Sequence, residues 1–248
     1  MKIGIIGVGH IGKTLALKLA EAGHDVVVAN SRGPENIDVN VLSTGAKAVS
    51  IQQALQDKAV IILSIPLNRL PEIAQLIAEV PEETTVIDTS NYYPGRDSKI
   101  DGIEAGQVES LWVTEQLGHP IVKAWNAIGS DSLVKNGNPA GSPGRIAIPI
   151  ASDREADQTI AMQLIQDTGF DAFYTGSLAD SWRQQPGAPI YCTDLTRDEM
   201  ATLVNTAEKE RLPARRDIAV TAIMERVSSP TTNPDADFGL RLSRALYI

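Results

Sequence analysis

A glycine-rich hexapeptide, Gly7-Val8-Gly9-His10-Ile11-Gly12, constrains the fold of this chain more than any other feature. It follows the apolar run Lys2–Gly7, and apolar residues then recur at helical spacing at Ile11, Leu15, Leu19 and Ala22. A glycine turn in this context lets the backbone approach a pyrophosphate, whose charge is stabilised by the N–H groups of the helix N-terminus. The segment therefore predicts the first βαβ unit of a dinucleotide-binding domain.

The end of the second predicted strand, Asp25–Ala29, indicates which dinucleotide is favoured. A site specific for NAD places Asp or Glu here to accept a hydrogen bond from the ribose 2′-hydroxyl. This chain has Asn30, Ser31 and Arg32 instead. Ser31 and Arg32 can donate hydrogen bonds to a 2′-phosphate, and Asn30 carries no charge that would repel it. The pattern predicts NADP(H) rather than NAD(H) as the cofactor.

The rest of the chain alternates apolar segments of strand length with longer amphipathic stretches, which is typical of a parallel sheet covered by helices on both faces. Strands are predicted at Lys2–Gly7, Asp25–Ala29, Ala59–Ile65, Thr85–Asp88, Ile121–Asn126, Arg145–Ile150 and Ala172–Tyr174. Later helices are predicted at Ile51–Gln56, Leu70–Ala78, Ala105–Leu117 and Glu155–Asp167. The predicted fold class is α/β, with a Rossmann-type doubly wound, mainly parallel sheet.

From Thr196 the pattern is helical without further strands, and Thr196 and Glu199 have the spacing of a capping box. We expect residues 1–182 to form an NADP-binding Rossmann domain and residues 183–248 a small C-terminal helical annex and tail, with a linker at Ser228–Asp237. The apolar tail, Phe238–Ile248, is too short to be a stable helix alone. It needs a docking surface, which either its own domain or a second copy in a homodimer would supply.

Composition argues against several classes of partner. With 22 basic and 31 acidic side chains the formal charge is −9, which disfavours binding to nucleic acid or to a membrane surface. Cys192 is the only cysteine, so no internal disulfide can form and no metal site is expected. No apolar run reaches the roughly 20 residues of a membrane span, and Met1-Lys2 leads into a strand rather than a signal peptide. We expect a cytoplasmic location.

Further residues are expected at the cofactor edge because they end the later strands. One strand ends with Ser64, Ile65, Pro66 and Leu67, of which Ile65 and Pro66 can pack against the cofactor ribose. Asn91 and Asn126 follow the next two strands. A role in turn formation explains Asn91 as well as ligand binding does, whereas Asn126 is interpreted as a residue of the cleft.

A residue that could transfer a proton is harder to find. His10 lies in the glycine turn, His24 in a helix-to-strand turn and His119 before a strand, so each has a structural explanation. Lys123 and Asn126 look like a catalytic pair, but an odd separation on a strand would send their side chains to opposite faces. The sequence therefore identifies no acid for the reduction of a carbonyl or imine.

Five segments in a fixed order, GVGHIG, NSR, SIP, VKAWNAIG and TGSLADSW, make the chain similar to the NADP oxidoreductases that depend on the deazaflavin coenzyme F420. The same nucleotide-binding module resembles the cytosolic domain of the six-transmembrane ferric reductases. The resemblance covers residues 1–182 and fades after Trp182. It implies that NADP is held by the turn Gly7–Gly12 with Ser31 and Arg32, and that the segment Ile65–Leu67 lies beside the nicotinamide half.

The resemblance also implies where a hydride acceptor binds. In the family the deazaflavin stacks on the nicotinamide near the loop after the last strand, which corresponds here to Gly176–Ser181. The candidate acceptor residues are Asn126, Ser177, Leu178 and Ser181. Trp182 and Tyr191 are aromatic candidates for the same pocket. Hydride transfer between stacked rings requires proximity and orientation rather than an acid, in agreement with the lack of an identified acid.

Three functions stay open on the sequence alone. The preferred interpretation is an NADP(H)-dependent oxidoreductase that exchanges a hydride with a deazaflavin or flavin-like small molecule. The second is an NADPH-dependent reductase of a small carbonyl or imine, which would need an acid. The third is a dinucleotide-sensing protein without enzymatic activity, which an appended DNA-reading module or a basic face would favour, and the sequence shows neither.

Overall fold

One mixed sheet organises the computed structural model, which describes residues 1–227 and 235–248. Its strands are β1 (Lys2–Ile6), β2 (Asp25–Ala29), β3 (Lys47–Ala48), β4 (Val60–Leu63), β5 (Thr85–Asp88), β6 (Val122–Lys123), β7 (Ala147–Ser152) and β8 (Asp171–Gly176). They lie in the order β3-β2-β1-β4-β5-β6-β7-β8. The first six run parallel, so the predicted α/β class with a mainly parallel sheet is confirmed.

The helices are α1 (His10–Glu21), α2 (Ile51–Leu55), α3 (Ala74–Ala78), α4 (Pro94–Asp97), α5 (Asp101–Glu104), α6 (Glu109–Leu117), α7 (Ser130–Lys135), α8 (Glu155–Asp167), α9 (Arg197–Leu203), α10 (Leu212–Val227) and α11 (Ala236–Tyr247). Two predicted helices differ from this description. The prediction Ala105–Leu117 is correct only from Glu109. The prediction Leu70–Ala78 begins as a 3₁₀ turn, Leu67–Ile73, which contains Pro71. Proline lacks the N–H that a regular α-helix needs at this position.

Apolar layers cover both faces of the sheet, and β4 contributes side chains to both layers. Val60 and Ile62 contribute to one layer, where they meet residues of α1 and α8. Ile61 and Leu63 contribute to the other layer, where they meet residues of α3 and α6. Alternate residues of a strand point to opposite faces, so a continuous apolar strand must be buried on both sides. The sheet is therefore doubly wound, as predicted.

β7 runs against the first six strands, a reversal that the prediction of a mainly parallel sheet did not locate. Val122 of β6 pairs with Ser152 and Lys123 pairs with Ala151, which makes β6 and β7 antiparallel. β8 is parallel to β7, with Gly176 beside Ala151. The carboxyl ends of β7 and β8 therefore point away from the edge at which β1–β6 end. A strand's hydrophobic pattern gives its length and burial but not its direction, so the sequence could not show this reversal.

The C-terminal helices pack on the same chain. The predicted capping box of α9 is confirmed, because the Thr196 hydroxyl accepts from Glu199 N and a Glu199 carboxylate oxygen accepts from Thr196 N. In α11, Arg244 Nε donates to Thr193 O at 2.8 Å. Tyr247 is buried, with its ring centroid 6.5 Å from that of Tyr191. The apolar tail thus finds a docking surface on its own chain, and the homodimer stays a prediction.

Two further expectations about the organisation of the chain remain predictions. Most of the predicted linker Ser228–Asp237 lies outside the described residues, because these omit residues 228–234. The domain boundary between residues 182 and 183 also stays a prediction. Among the described helices, none combines the length and the apolar character required to cross a membrane.

Candidate dinucleotide and acceptor site

The loop between β1 and α1 uses its three glycines in different ways. Gly7 has φ +99°, and a Cβ there would lie 2.2 Å from Ser64 O. A Cβ on Gly12 would lie 2.0 Å from Gly7 O, so the helix packs directly on the turn. A Cβ on Gly9 would meet no atom of the described residues within 4 Å. Gly7 and Gly12 are therefore required by the packing of the turn, whereas Gly9 keeps the approach to the helix N-terminus open.

The N-terminus of α1 faces this open space with its donors free. Gly9 is the N-cap residue, no side chain in the described part of the chain caps the helix, and the first turn has no acidic residue. The first N–H groups of a helix have no partner within the helix, and they carry the positive end of its dipole. The arrangement therefore suits an anion such as a pyrophosphate.

The end of β2 presents a second group of donors. Asn30 Oδ1 accepts from Arg32 N at 2.9 Å, which shapes the turn, while the buried Asn30 Nδ2 has no hydrogen-bond partner among the described residues. Ser31 and Arg32 are exposed, and within the described part of the chain the Arg32 guanidinium has neither a hydrogen bond nor an ion pair. A buried N–H group without a hydrogen-bond partner costs folding free energy. The unpartnered Asn30 Nδ2 therefore suggests that a ligand supplies an acceptor atom at the end of β2.

Only part of the predicted Ser64–Leu67 segment reaches the surface. Ser64 and Ile65 are half-buried and Pro66 is exposed. Leu67 has no exposed surface and packs in the apolar layer beneath the sheet. Leu67 is therefore a core residue in this structure, and Ile65 and Pro66 are the members of the segment that can touch a ligand directly.

Asn126, expected in the cleft, is buried and fully engaged. Its Nδ2 donates to Asn91 Oδ1 at 3.0 Å and to Gln184 O at 2.8 Å. Its Oδ1 accepts from Gln184 Nε2 at 2.9 Å, and its backbone oxygen accepts from Asn91 Nδ2 at 2.8 Å. Both N–H groups of the Asn126 amide are therefore used within the protein. The geometry makes Asn126 a bridge between the ends of β5 and β6, and leaves Asn91, which is half-buried, as the more accessible amide.

Lys123 is held in a buried ion pair. Its Nζ donates to Asp88 Oδ2 at 2.6 Å and to Ser90 O at 2.7 Å, and neither charged side chain has exposed surface. β6 ends at Lys123, and Trp125 has φ +54°, outside the strand region. The expectation that strand alternation separates Lys123 from Asn126 is therefore wrong, because the strand does not continue that far. The Lys123 ammonium is nevertheless buried and hydrogen-bonded to Asp88 and Ser90, so it is not placed to contact a substrate.

The expected position of the loop Gly176–Ser181 is also wrong, because β8 runs against β1–β6. Leu178 N donates to Asp153 Oδ1, beyond the end of β7, and the Leu178 side chain is buried in the core. Ser181 is fully buried, with its Oγ 2.8 Å from Ser110 Oγ. Ser177 Oγ donates to Asp180 Oδ2 within the loop. The turn Leu178–Gln184 then runs back toward β6, where Gln184 rather than Leu178 meets the strand ends.

Sequence reasoning named Tyr191 as a pocket candidate but missed its phenol partner Tyr93, which follows β5. Tyr93 Oη lies 2.7 Å from Tyr191 Oη, and Cys192 N donates to Ala127 O in the segment after β6. Burial raises the pKa of the Cys192 thiol to about 12, so it is not a nucleophile at neutral pH. The contact between Tyr93 and Tyr191 joins residues nearly a hundred positions apart, and no local pattern predicts such a pair.

Glu109 is a second residue that the sequence did not reveal. It begins α6, is 4% exposed, and its Oε2 accepts from Tyr92 N at 3.1 Å. Burial raises the pKa of its carboxyl to about 7, although the nearby charges of Lys123 and Arg216 oppose the shift. A glutamate in the first turn of a helix is ordinary, so its sequence position gave no signal.

The histidines occupy the structural positions expected of them. His24 Nε2 lies 3.1 Å from Asp167 Oδ2, and His119 Nδ1 lies 2.7 Å from Pro120 O. His10 is exposed at the start of α1 and lies in the glycine loop. Among the described residues, no group of three His, Cys, Asp or Glu side chains is placed to hold a metal ion.

The fold and the glycine loop define a Rossmann-type dinucleotide-binding protein. More particularly, residues 2–92 match the family described as NADP oxidoreductase, coenzyme F420-dependent, and the predicted resemblance is confirmed for this segment. The match contains the glycine loop, the Asn30–Arg32 turn and the strand ends as far as Asn91. It agrees with the predicted class of enzyme, an NADP-dependent oxidoreductase.

Individual relatives agree with this assignment of the fold. The chain is 44% identical over 77 residues to the Escherichia coli (strain K12) protein YjhV, a match that spans 31% of this chain and 56% of that protein. The crystal structure of the hypothetical protein SMa0349 from Sinorhizobium meliloti is 28% identical, with a TM-score of 0.68 over 79% of this chain and 95% of that one. An Arthrobacter sp. FB24 protein, for which F420-dependent NADP-reductase activity has been suggested, is 16% identical, with a TM-score of 0.58 over 90% and 94%.

Proposed function

We propose that this chain is an NADP(H)-dependent oxidoreductase that transfers a hydride between NADP(H) and a flavin-like or deazaflavin ring. The observation that carries the proposal is the open space at Gly9, where the uncapped N-terminus of α1 is exposed. The free donors of Ser31 and Arg32 lie at the end of the neighbouring strand β2. The only partner that this activity requires is the small-molecule acceptor.

The residues present fit the dinucleotide in three places. Backbone N–H groups of Gly9–Gly12 would hold the pyrophosphate, because among the described residues no side chain caps the helix and none lies within 4 Å of a Cβ placed on Gly9. Arg32 and Ser31 would hold the 2′-phosphate through charge-assisted hydrogen bonds, with the unpartnered Asn30 Nδ2 beside them. Ile65 and Pro66 offer an apolar surface to the ribose and nicotinamide. The family description of residues 2–92 supports the same choice of cofactor.

The protein's contribution to the reaction is binding and orientation. The bound nicotinamide supplies or accepts the hydride, and ring-to-ring transfer requires close and correctly oriented partners. The amide bridge of Asn91, Asn126 and Gln184 fixes the ends of β5 and β6, which form the floor on the acceptor side. Lys123 and Asp88 fix the same strand ends from below.

A second candidate is the NADPH-dependent reduction of a small carbonyl or imine, because the structure contains an acid that the sequence did not show. Tyr93 is half-buried beside Asn91, and burial raises the pKa of its phenol, so it keeps its proton at neutral pH. A protonated phenol can donate to a substrate oxygen or nitrogen. A loss of turnover of more than a hundredfold in Tyr93→Phe, with NADPH still bound, would favour this candidate.

An anaerobic assay tests the proposal directly. NADPH oxidation is followed with coenzyme F420, FMN, FAD, ferric chelates and a set of small carbonyl compounds, and NADH is used in parallel. We expect turnover with a ring acceptor and a preference for NADPH. Gly9→Ala is the matched control, since it should fold but fail to bind the dinucleotide. NADPH binding without turnover on any acceptor would indicate a dinucleotide sensor instead.

A further inference from the structure

The segment after β5 holds an arginine in a fixed position next to the proposed acceptor site. Arg96 Nε donates to Asp97 Oδ1 at 2.9 Å, and Nη2 donates to Asp97 Oδ2 at 2.8 Å and to Asn91 O at 2.6 Å. The guanidinium also lies over the Tyr93 ring, with Cζ 5.3 Å from the centroid. Surface arginines usually sample many rotamers, so four contacts to one guanidinium show a pre-organised group.

The free side of this guanidinium faces outward. The Arg96 side chain is 48% exposed, whereas the Asp97 carboxylate that orients it has no exposed surface. Within the described residues Nη1 has no hydrogen-bond partner. Asn91 Nδ2 donates one of its two hydrogens, to Asn126 O, and the second has no partner in the described chain. Two nitrogen atoms with free hydrogens, Arg96 Nη1 and Asn91 Nδ2, therefore lie at the strand end that forms the acceptor side.

The charge of the whole protein makes this placement significant. At a formal charge of −9 the surface repels anions, so an anionic ligand needs a local cation that is already in position. A guanidinium held by a buried carboxylate presents its free Nη1 group without further loss of rotamer freedom. A phosphate or carboxylate oxygen can accept a charge-assisted hydrogen bond from Nη1.

We propose that Arg96 binds an anionic group, a phosphate or carboxylate, on the side chain of the hydride acceptor, and so selects charged acceptors over neutral ones. The proposal rests on the proposed hydride transfer to a ring. It makes Arg96 a specificity-determining residue, with Asn91 as a second donor and Asp97 as the residue that positions the guanidinium.

FMN and riboflavin form a matched pair of probes, because they share the ring and differ by one phosphate. For the unmodified protein we expect tighter binding of FMN than of riboflavin, measured by flavin fluorescence in the presence of NADP⁺. In Arg96→Gln, FMN binding should weaken by roughly 10- to 100-fold, as expected for a lost charge-assisted hydrogen bond. Riboflavin binding and NADPH affinity should change less than threefold. Where turnover is measurable, KM for FMN should rise and kcat should not.

Two further variants keep the result interpretable. Arg96→Gln leaves the buried Asp97 without its cation, so Arg96→Lys is measured as well, since it keeps a positive charge but loses the forked donor. The FMN affinity of Arg96→Lys should lie between that of the unmodified protein and that of Arg96→Gln. Arg226→Gln is the control, because Arg226 is also about half exposed, pairs with Asp235 and lies over the Phe238 ring, but belongs to α10.

The binding measurement decides the proposal separately from the enzymatic activity. Equal affinities for FMN and riboflavin in the unmodified protein, or equal losses for both in Arg96→Gln, would overturn the role of Arg96. A fall in NADPH affinity would instead place Arg96 in the dinucleotide site. If FMN binds as expected but NADPH reduces no ring acceptor, the proposed function fails while the anion site stands.

Discussion

Asn91 and Asn126 form a reciprocal pair across the ends of two neighbouring strands. The Asn126 amide donates to Asn91 Oδ1 at 3.0 Å, and the Asn91 amide donates to Asn126 O at 2.8 Å. Gln184 completes the bridge by donating to Asn126 Oδ1 and by accepting from its Nδ2. The acceptor side of the site therefore contains a network of hydrogen bonds in which the three amide side chains fix one another's positions.

Removal of the central amide should affect stability more than cofactor binding. Asn126→Ala leaves Asn91 Oδ1 and the backbone oxygen of Gln184 without the donor that they share, and Gln184 Nε2 keeps only its bond to Lys123 O. We expect the change to cost roughly 2–4 kcal/mol of unfolding free energy. NADPH affinity should change less than threefold. Urea denaturation and NADPH titration measure the two effects, with the exposed Asn40→Ala as control. A large loss of NADPH affinity at unchanged stability would show instead that Asn126 contacts the cofactor.

Arg32 should determine the preference for NADPH. Its guanidinium is free in the described structure, so Arg32→Ala removes no internal contact and should leave the melting temperature unchanged. NADPH affinity should fall by about 1.5–3 kcal/mol, the range for hydrogen bonds to charged groups, and NADH affinity should hardly change. Titration calorimetry with both cofactors checks the expectation. Equal affinities for NADPH and NADH in the unmodified protein would show that the 2′-phosphate is not recognised.

Two glycines of one loop should give opposite results when a methyl group is added. Gly9→Ala places its Cβ in open space at φ −67°, so stability should change by less than about 1 kcal/mol, while NADPH binding should be lost. Gly12→Ala places its Cβ 2.0 Å from Gly7 O, so the fold itself should be destabilised. Thermal melting and NADPH titration on both variants separate packing from binding. Unchanged NADPH affinity in Gly9→Ala would contradict pyrophosphate binding at this loop.

Glu109 should make stability depend on pH. Burial raises its pKa from 4.5 in the unfolded chain to about 7 in the folded protein, so the folded state binds the extra proton between these values. The resulting stabilisation is complete below pH 4.5 and is lost as the pH rises through about 7. The unfolding free energy relative to Glu109→Gln should thus decrease by about 3 kcal/mol from pH 4.5 to pH 8. Urea titrations at both pH values measure it, and a constant difference would show that the carboxyl is not perturbed.

Local patterns were sufficient for much of the fold. β2, β5 and α8 occupy the predicted residues, and the Thr196 capping box has the expected bonds. Such features depend on residues close in sequence, which is why periodicity and capping chemistry predict them. The glycine loop belongs to the same class, because its strand, turn and helix are contiguous. Its binding role is a prediction that the open space at Gly9 supports.

The acceptor side could not be predicted in the same way, because its contacts join distant parts of the chain. Because β7 is antiparallel to β6, the loop after β8 lies elsewhere than expected, and Leu178 and Ser181 are buried. A hydrophobic pattern carries no information on strand direction. Trp125 has a left-handed backbone, so side chains do not alternate between the two faces of a strand from Lys123 to Asn126, as the sequence argument about this pair assumed. The contact between Tyr93 and Tyr191 depends on tertiary packing alone.

The two sides of the site lie far apart along the chain. The glycine loop and the Asn30–Arg32 turn belong to the first 32 residues, and the loop packs closely on Ser64 after β4. The acceptor side needs Gln184 and Tyr191, which a ribosome adds much later. A growing chain therefore contains every group proposed to hold the phosphates long before it can hold an acceptor. Because a ligand stabilises whatever folded form it binds, NADP(H) would stabilise any folded form of the chain in which these groups are already in place.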